Sequence, residues 1–451
     1  MAEPSNTVLD PKSEEARLKA LTEEILSEAS TQGADACEVG VSLDAGLSAS
    51  VRMGDVETVE FNRDQGFGIT VYIGKKKGSA STSDASHEAI KETVRAAIDI
   101  ASYGSEDPYA GLADAELMAK GLPELDLYHP WGINAEEAID LAVTCENAGR
   151  EYSDKITNSD GASVNTHQGC RVYGNSHGFI GSYVSSRHSL SAVLIGTQGE
   201  EMQRDYWYTL GRASTDMEDA ALVGRIAAER TLARLGGRKV PTGEVPVLFA
   251  PEVASGLISH FLGAISGGSL YRQASFLIDH LGKPIFPDWM RIHEQPHLKK
   301  GLGSASFDND GLATRAKDIV SEGILQSYLL STYSGRKLGM PSTGNAGGVY
   351  NLFVESSAEG HDALLKQMGT GLLVTELMGQ GVNTVTGDYS RGAGGFWVEN
   401  GVIQFPVSEV TIAGNLKDIY QNIVAVGNDV DRRGNVQTGS ILIEKMKLAG
   451  S

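Results

Sequence analysis

Four runs decide the fold: CRVYG (170–174), FIGSYVSS (179–186), HSLSAVLIG (188–196) and MQRDYWYTLG (202–211). Apolar and polar side chains alternate along them, which is the period of a strand with one buried face. Turn residues divide the stretch at Asp160-Gly161, Gly174-Asn175 and Gln198-Gly199. The pattern predicts an antiparallel sheet from Lys155 to Arg212, flanked by helices. Ahead of it, Asn134 and Glu137 form a capping box for a helix packed through Ala138, Leu141, Ala142 and Cys145. Behind it, a helix is expected from about Asp216 to Leu235, stopped by Gly236-Gly237.

Further upstream, residues 1–11 read as a loose leader. Ser13 is the expected cap of a first helix reaching Gln32, with Leu18, Leu21 and Ile25 on one face. Short β runs follow between Cys37 and Thr82, such as VETVEF (56–61) and GITVYI (68–73), divided at Gly54-Asp55 and Gly74. Ser86 opens a second helix with Ile90, Val94, Ala97 and Ala101 inward, and the prolines at 108, 123 and 130 mark a linker. Downstream of Thr242 come a strand EVPVLFA (244–250) and a helix with apolar residues at 253/254, 257/258, 261/262 and 265. Two hairpins turn at Glu322-Gly323 and at Asn400-Gly401, the second being the strongest short hairpin signal in the chain. The expected class is α+β. It comprises a small helix/meander domain over 12–107, a β-rich middle domain over 130–238, and a mixed, barrel-like sheet with helices over 242–450. No internal repeat is present.

The chain has 451 residues, a net charge of -20 and a pI of about 4.9. So acidic a surface repels phosphate backbones and disfavours nucleic acid as a partner. Lys75-Lys76-Lys77, the one basic run, lies between Gly74 and Gly78 as a solvated hairpin turn would. Three scattered cysteines, Cys37, Cys145 and Cys170, build neither a disulfide framework nor a thiolate metal site. The opening MAEPSNTVLDPKSEEARLKA is polar and charged, unlike a secretory signal, and no run reaches the ~20 apolar residues of a membrane span. A cytoplasmic location is expected.

Several motifs invite catalytic readings. His293-Glu294-Gln295-Pro296-His297 spells H-E-x-x-H, but Pro296 breaks the helix on which two such histidines would share a face. Gly174-Asn175-Ser176-His177-Gly178 spells G-x-S-x-G, yet a strand pattern follows where a nucleophile elbow needs a helix. His167, His177 and His188 would form a metal trio only if neighbouring strands brought them together; ordinary strand histidines are the simpler reading. Gly369-Thr370-Gly371 and Gly379-Gln380-Gly381 complete no phosphate-binding fingerprint and read as breaks between a helix (364–368), an apolar run (372–378) and a strand (382–387).

The stretch after the downstream helix, Gly267-Gly268-Ser269-Leu270-Tyr271-Arg272-Gln273-Ala274-Ser275-Phe276, resembles that following the metal-binding helix of the TldD/PmbA metallopeptidase family. So do Ser306-Phe307-Asp308-Asn309-Asp310-Gly311, Asp318 to Gly323, Ser342-Thr343-Gly344-Asn345, Gly387 to Trp397 and Val426 to Asp429. Nearer the start, Val59-Glu60-Phe61-Asn62 and Gly78 to Thr82 also fit. The chain is most similar to the PmbA (TldE) branch. The resemblance implies a cytosolic, two-chain peptidase. Its catalytic chain holds zinc through His-Glu-x-x-x-His and a cysteine near the C-terminus. Those positions fall here on Ser259, His260 and Ala264, and most closely on Thr438 for the cysteine. Serine, alanine and threonine do not replace imidazole and thiolate, so no metal or cofactor is expected on this chain.

The expectation is therefore a non-catalytic subunit that completes the substrate chamber of a TldD-type zinc subunit. Its substrates would be unfolded or flexible peptides, including leader segments of modified precursors. Gly392, Gly394, Gly395 and Phe396 are a candidate edge for an added peptide strand, the alternative being a bulge within the C-terminal sheet. Two other readings stand beside this one. One is a self-contained metal-dependent hydrolase using His260, His293 or His297. The other is a binding protein that modulates DNA gyrase.

Overall fold

The computed structural model describes residues 10–450; the expected leader over 1–11 lies outside them except for its last two residues. The first helix, α1 (Pro11–Thr31), is capped by Asp10 rather than Ser13: the Asp10 carboxylate accepts from the Lys12 N–H, and Pro11 takes the first helical position. Then come β1 (Ala36–Arg52), β2 (Asp55–Ile73), β3 (Lys76–Thr82), α2 (His87–Tyr103), α3 (Ala135–Arg150), β4 (Ile156–Asn175), β5 (Ile180–Gln198), β6 (Glu201–Gly211) and α4 (Ala220–Ala233).

These strands are longer than the short runs expected from sequence and form one antiparallel sheet in the order β3-β2-β1-β4-β5-β6. Thus 12–107 and 130–238 share a sheet: β1 pairs with β4 from Glu38–Asn175 to Val51–Ala162. Asp160-Gly161 is a bulge inside β4, not a turn between strands. Gly161 has φ +106°, and a side chain there would strike the Val51 carbonyl. One face is covered by helices. Val39, Val41 and Leu43 of β1 pack under α1 and α2, while Leu47, Ala49 and Val51 pack under α3 and α4.

The other two predicted caps hold. The Ser86 side chain accepts from the Ala89 N–H, and Asn134 and Glu137 make the reciprocal pair. Helices α3 and α4 cross at Gly149 and Gly224, where a Cβ on Gly224 would overlap the Cys145 carbonyl.

The remainder contains β7 (Gly243–Phe249), α5 (Pro251–Ala264), α6 (Gly267–Tyr271), β8 (Ile292–Glu294), β9 (Lys317–Ser321), β10 (Ile324–Leu325), α7 (Thr332–Leu338), β11 (Leu352–Val354) and α8 (His361–Met368). It ends with β12 (Gly371–Met378), β13 (Asp388–Glu399), β14 (Val402–Asn415), α9 (Leu416–Gln421), β15 (Ile423–Val426), β16 (Val436–Gln437) and β17 (Ile441–Ala449). The order β14-β13-β12-β7-β17 closes on itself where β14 pairs with β17 over Thr411–Ala413, giving a five-stranded barrel. A second sheet runs β10-β9-β8-β11-β16. The segment 382–387, expected as a strand, is a loop held by the Asn383 side chain; the apolar run before it is strand β12. Both predicted hairpin turns have the positive φ pair of a type I′ turn, at Glu322/Gly323 (51° and 71°) and Asn400/Gly401 (54° and 74°).

Arginines tie the first sheet to the barrel. Asp205 on β6 is buried and faces Arg230 at 3.3 Å and Arg234 at 3.5 Å. Arg230 continues to Glu252 in the first turn of α5 (2.6 Å), and Arg234 to Glu376 on β12. Arg212 donates to the carbonyls of Gly301 and Leu302, and Arg433 lies 3.9 Å above the Trp207 ring. No described helix is long and apolar enough to cross a membrane.

The α3–α4 crossing predicts that Gly224→Ala destabilises the protein by about 1–3 kcal/mol, the usual range for overpacking a tight contact. Gly256→Ala on α5, where a Cβ meets nothing within 4 Å, should instead stabilise by about 0.5–1 kcal/mol. Urea midpoints of the two variants moving in the same direction would contradict the crossing.

Candidate functional site

Helix α5 starts at Pro251, directly after the barrel strand β7. Its apolar face buries Ala254, Leu257, Ile258 and Phe261. The Phe261 ring meets Phe286 edge-on at 5.0 Å, and the Tyr420 hydroxyl donates to the Leu257 carbonyl at 3.0 Å. Locked this way, α5 runs from Pro251 to Ala264 without interruption.

The four positions that the resemblance sets against a metal site, Ser259, His260, Ala264 and Thr438, scatter around this helix and beyond it. Ser259 is exposed and its hydroxyl donates to the Ser255 carbonyl at 2.9 Å. It lines a cavity of about 560 Å³ together with Ser266, Tyr271, Asn345, Gly347 and Asn435. His260 turns toward β13, its ring edge-on to Tyr389 at 6.1 Å. Its Nε2 is buried with no hydrogen-bond partner among the described residues. Burial, with Arg391 as a smaller contributor, holds the imidazole below its usual range and keeps it neutral. Ala264 is fully buried, and Thr438 is buried with its hydroxyl donating to the Gly439 carbonyl at 3.0 Å. Residues 259 and 264 stand about 140° apart on a regular helix, which matches one facing the cavity and the other the core. A hydroxyl, an imidazole, a methyl and a second hydroxyl aimed in these directions do not fit a zinc ion. No group of three or more His, Cys, Asp or Glu able to hold a metal occurs among the described residues.

The other motif residues are also separated. His293 lies on β8, stacked on Phe353, while His297 sits past Pro296 with its Nε2 3.0 Å from the Thr314 hydroxyl. Ser176 occupies the β4–β5 turn, where its hydroxyl accepts from the Cys37 N–H; no helix follows. His167 and His188 are on opposite faces of the sheet, since Thr166, not His167, is opposite His188. His167 bonds Asp44 at 2.9 Å, and the buried His188 bonds the His129 carbonyl at 2.8 Å. His177 is in the distant turn. All three cysteines are buried, and burial pushes their thiols up to about 12, 12 and 11, beyond nucleophilic use at neutral pH.

Gly392, Gly394, Gly395 and Phe396 correct the expectation of a free edge. Strand β13 is flanked by β12 on one side and β14 on the other throughout this run, with a bulge between Ala393 and Gly395. The glycines admit neighbouring strands of the same chain: a Cβ on Gly395 would overlap the Leu373 carbonyl. A peptide has no open side to pair with here.

Two buried carboxylates that motif reading missed shape the cavity wall. Glu294, inside the H-E-x-x-H string, is wholly buried. It accepts from the Tyr350 N–H (2.6 Å) and the Asn345 amide (3.1 Å) and pairs with Lys317 (2.9 Å). Asp308 accepts from the N–H groups of Asp310, Leu312 and Ala346 at 2.9–3.0 Å. Both lie in or bond to stretches quoted above for their resemblance, the one sequence signal that marked them. The Asn309 N–H also donates to the Ala346 carbonyl (2.9 Å). On the far side of this loop pair is a second cavity of about 1030 Å³. The first sheet floors it through Ser42, Gly66 and Gly68, and Tyr183, Phe307 and Asn309 wall it.

Burial, with Asp310 nearby, pushes the Asp308 carboxyl up to about 6 from a normal 3.8. A raised carboxyl pKa means that the folded chain holds the proton more tightly than the unfolded one. The folded state is therefore favoured below about pH 4 and loses that advantage as pH rises to about 6, by roughly 3 kcal/mol. Asp308→Asn does not titrate. The stability of the native protein minus that of the variant should fall across this window in urea titrations; a flat difference would contradict the burial account.

Three family models match: the PmbA/TldA metallopeptidase domain 1 over residues 37–101, the central domain over 128–235 and the C-terminal domain over 242–450. The chain is 53% identical to the metalloprotease PmbA of Escherichia coli O157:H7 over 438 residues, 97% of each chain. It is 51% identical to the metalloprotease PmbA homolog of Haemophilus influenzae over 451 residues, 100% of this chain and 99% of that one. Among solved structures, a candidate modulator of DNA gyrase from Bacteroides thetaiotaomicron superposes with a TM-score of 0.92 at 29% identity, covering 96% and 99% of the two chains. TldE from Thermococcus kodakarensis shares the fold with a TM-score of 0.80 at 21% identity, covering 95% and 100%. The chain belongs to the PmbA/TldE branch of the PmbA/TldD metallopeptidase family.

Proposed function

We propose that this chain is the non-catalytic subunit of a heterodimeric, cytoplasmic TldD/TldE-type metallopeptidase. It completes a substrate chamber around a zinc site carried by a TldD-type partner. What supports this reading is the donor set: Ser259, His260, Ala264 and Thr438 occupy the positions that the resemblance gives to ligands and base, and Ser259 faces a cavity while Ala264 and Thr438 are buried. The metal is assigned to the partner because the family is metal-dependent and this chain's residues do not suit an ion.

The substrates are unfolded or flexible peptides, including leader segments of modified precursors. Two cavities with glycines and hydroxyl side chains between aromatic walls leave room for a peptide backbone to lie against the protein. The acidic surface leaves nucleic acid out as a partner.

Elemental analysis of the purified chain should find far less than one zinc per molecule, and unstructured casein should be cut only after a TldD-type chain is added. His260→Gln should leave cleavage by the pair within about twofold, since a neutral imidazole packed on Tyr389 takes no part. Stoichiometric zinc together with hydrolysis by this chain alone, lost in His260→Gln, would establish the self-contained hydrolase instead. Tight binding to a gyrase without the second chain would favour the modulator.

A further inference from the structure

Strand β2 spans 19 residues, but β3 covers only part of it. β3 pairs with Phe67–Ile73, while residues 55–64 have a strand on one side only, β1. All ten are exposed. Alternate N–H and C=O groups along this segment therefore face outward with no strand to meet them. Proteins usually blunt such an edge with proline, lysine, a bulge or a covering loop. The segment DVETVEFNRD contains neither proline nor lysine, and its one bulge, at Glu57 near the start of the strand, leaves Thr58–Asp64 in regular register with β1.

The edge also has an apolar side. Val59 lies opposite Ala49 and Phe61 opposite Leu47. Leu47 and Ala49 belong to the helix-covered core, so Val59 and Phe61 point to that same side of the sheet. There the helical cover ends: Val56 is 52% exposed, Val59 38% and Phe61 48%, with Met53 beside them at 42%. Main-chain groups, an apolar stripe and strand direction thus offer one place for a further strand.

Charge selects the occupant. Asp55, Glu57, Glu60 and Asp64 face a single base, Arg63, whose guanidinium is already paired with Glu14 at 2.6 Å. Two copies of this edge would set four acids against four, which opposes self-pairing. We infer that the free edge of β2, Asp55–Asp64, pairs with a basic edge strand of the catalytic partner subunit, whose apolar side chains cover Val56, Val59 and Phe61. This rests on the heterodimer proposed above and places its contact on the first sheet.

Hydrogen–deuterium exchange on the chain alone and on its complex with a TldD-type chain tests the inference. About half of the amides in 55–64, those facing outward, should exchange freely alone and become protected in the complex. The double variant Val59→Lys/Phe61→Lys places two charges on already exposed positions and should weaken association at least tenfold. Glu57→Lys/Glu60→Lys, which spares the apolar stripe, should weaken it more at low than at high ionic strength. A complex that forms with 55–64 unprotected, or that both variants leave intact, overturns the inference while the heterodimer stands. Self-association of the chain through 55–64 overturns the choice of partner. Failure of the two chains to assemble at all removes the heterodimer and this contact with it.

Discussion

Asp205 holds the molecule's two halves in register. Its carboxylate is buried at the end of the first sheet, and desolvating it is tolerable only because Arg230 and Arg234 converge on it. Each arginine then reaches past it to a second acid, Glu252 at the start of α5 or Glu376 on β12. The chain of charges therefore alternates in sign from sheet to barrel. The orientation of α5, and with it the side that Ser259 presents, follows from where this chain ends. Removing Asp205 would leave two guanidiniums facing each other in a poorly hydrated space, a penalty on the order of several kcal/mol.

The loops between the two cavities obey the same electrostatics. Glu294 and Asp308 each accept hydrogen bonds from several surrounding donors, which fixes the position of both carboxyls. Together with the Asn309–Ala346 bond they make a rigid partition. Gly66 and Gly68 on one side and Gly347 on the other leave room beside polar backbone, between aromatic walls such as Tyr183 and Phe307 or Tyr271 and Tyr333.

What could be read from sequence was largely what is settled within a few residues. The Ser86 cap, the Asn134–Glu137 box and the Asn400-Gly401 and Glu322-Gly323 turns each depend on local backbone chemistry, and each is present. Even the misplaced cap at Ser13 had a local answer in Asp10-Pro11. The errors arose where distant chain decides the outcome. Asp160-Gly161 looks like a turn but is a bulge, because β1 runs beside it and brings Val51 close. Glycines 392–395 rightly announce a close backbone approach, but only the assembled barrel shows that β12 and β14 make it. Glu294 lay inside a tempting motif, yet its meaning comes from Lys317 and Asn345, which alternation and spacing do not connect to it. The scattered metal-site positions were legible as residue types; their divergence required the helix itself.

The uninterrupted course of α5 has a consequence for how such a chain could change over time. Four side-chain replacements at 259, 260, 264 and 438 would not by themselves build a metal site on this backbone. Placing donors at 259 and 264 on the present backbone would send one into the cavity and bury the other beneath the barrel, because these azimuths differ by about 140°. A shared coordination point would demand a local underwinding of the helix, a π-type bulge, and a repacking of Phe261 against Phe286 and Tyr420. Each intermediate on that path would carry the cost of a disturbed core before any ion offered compensation, so packing alone holds the helix in its present form.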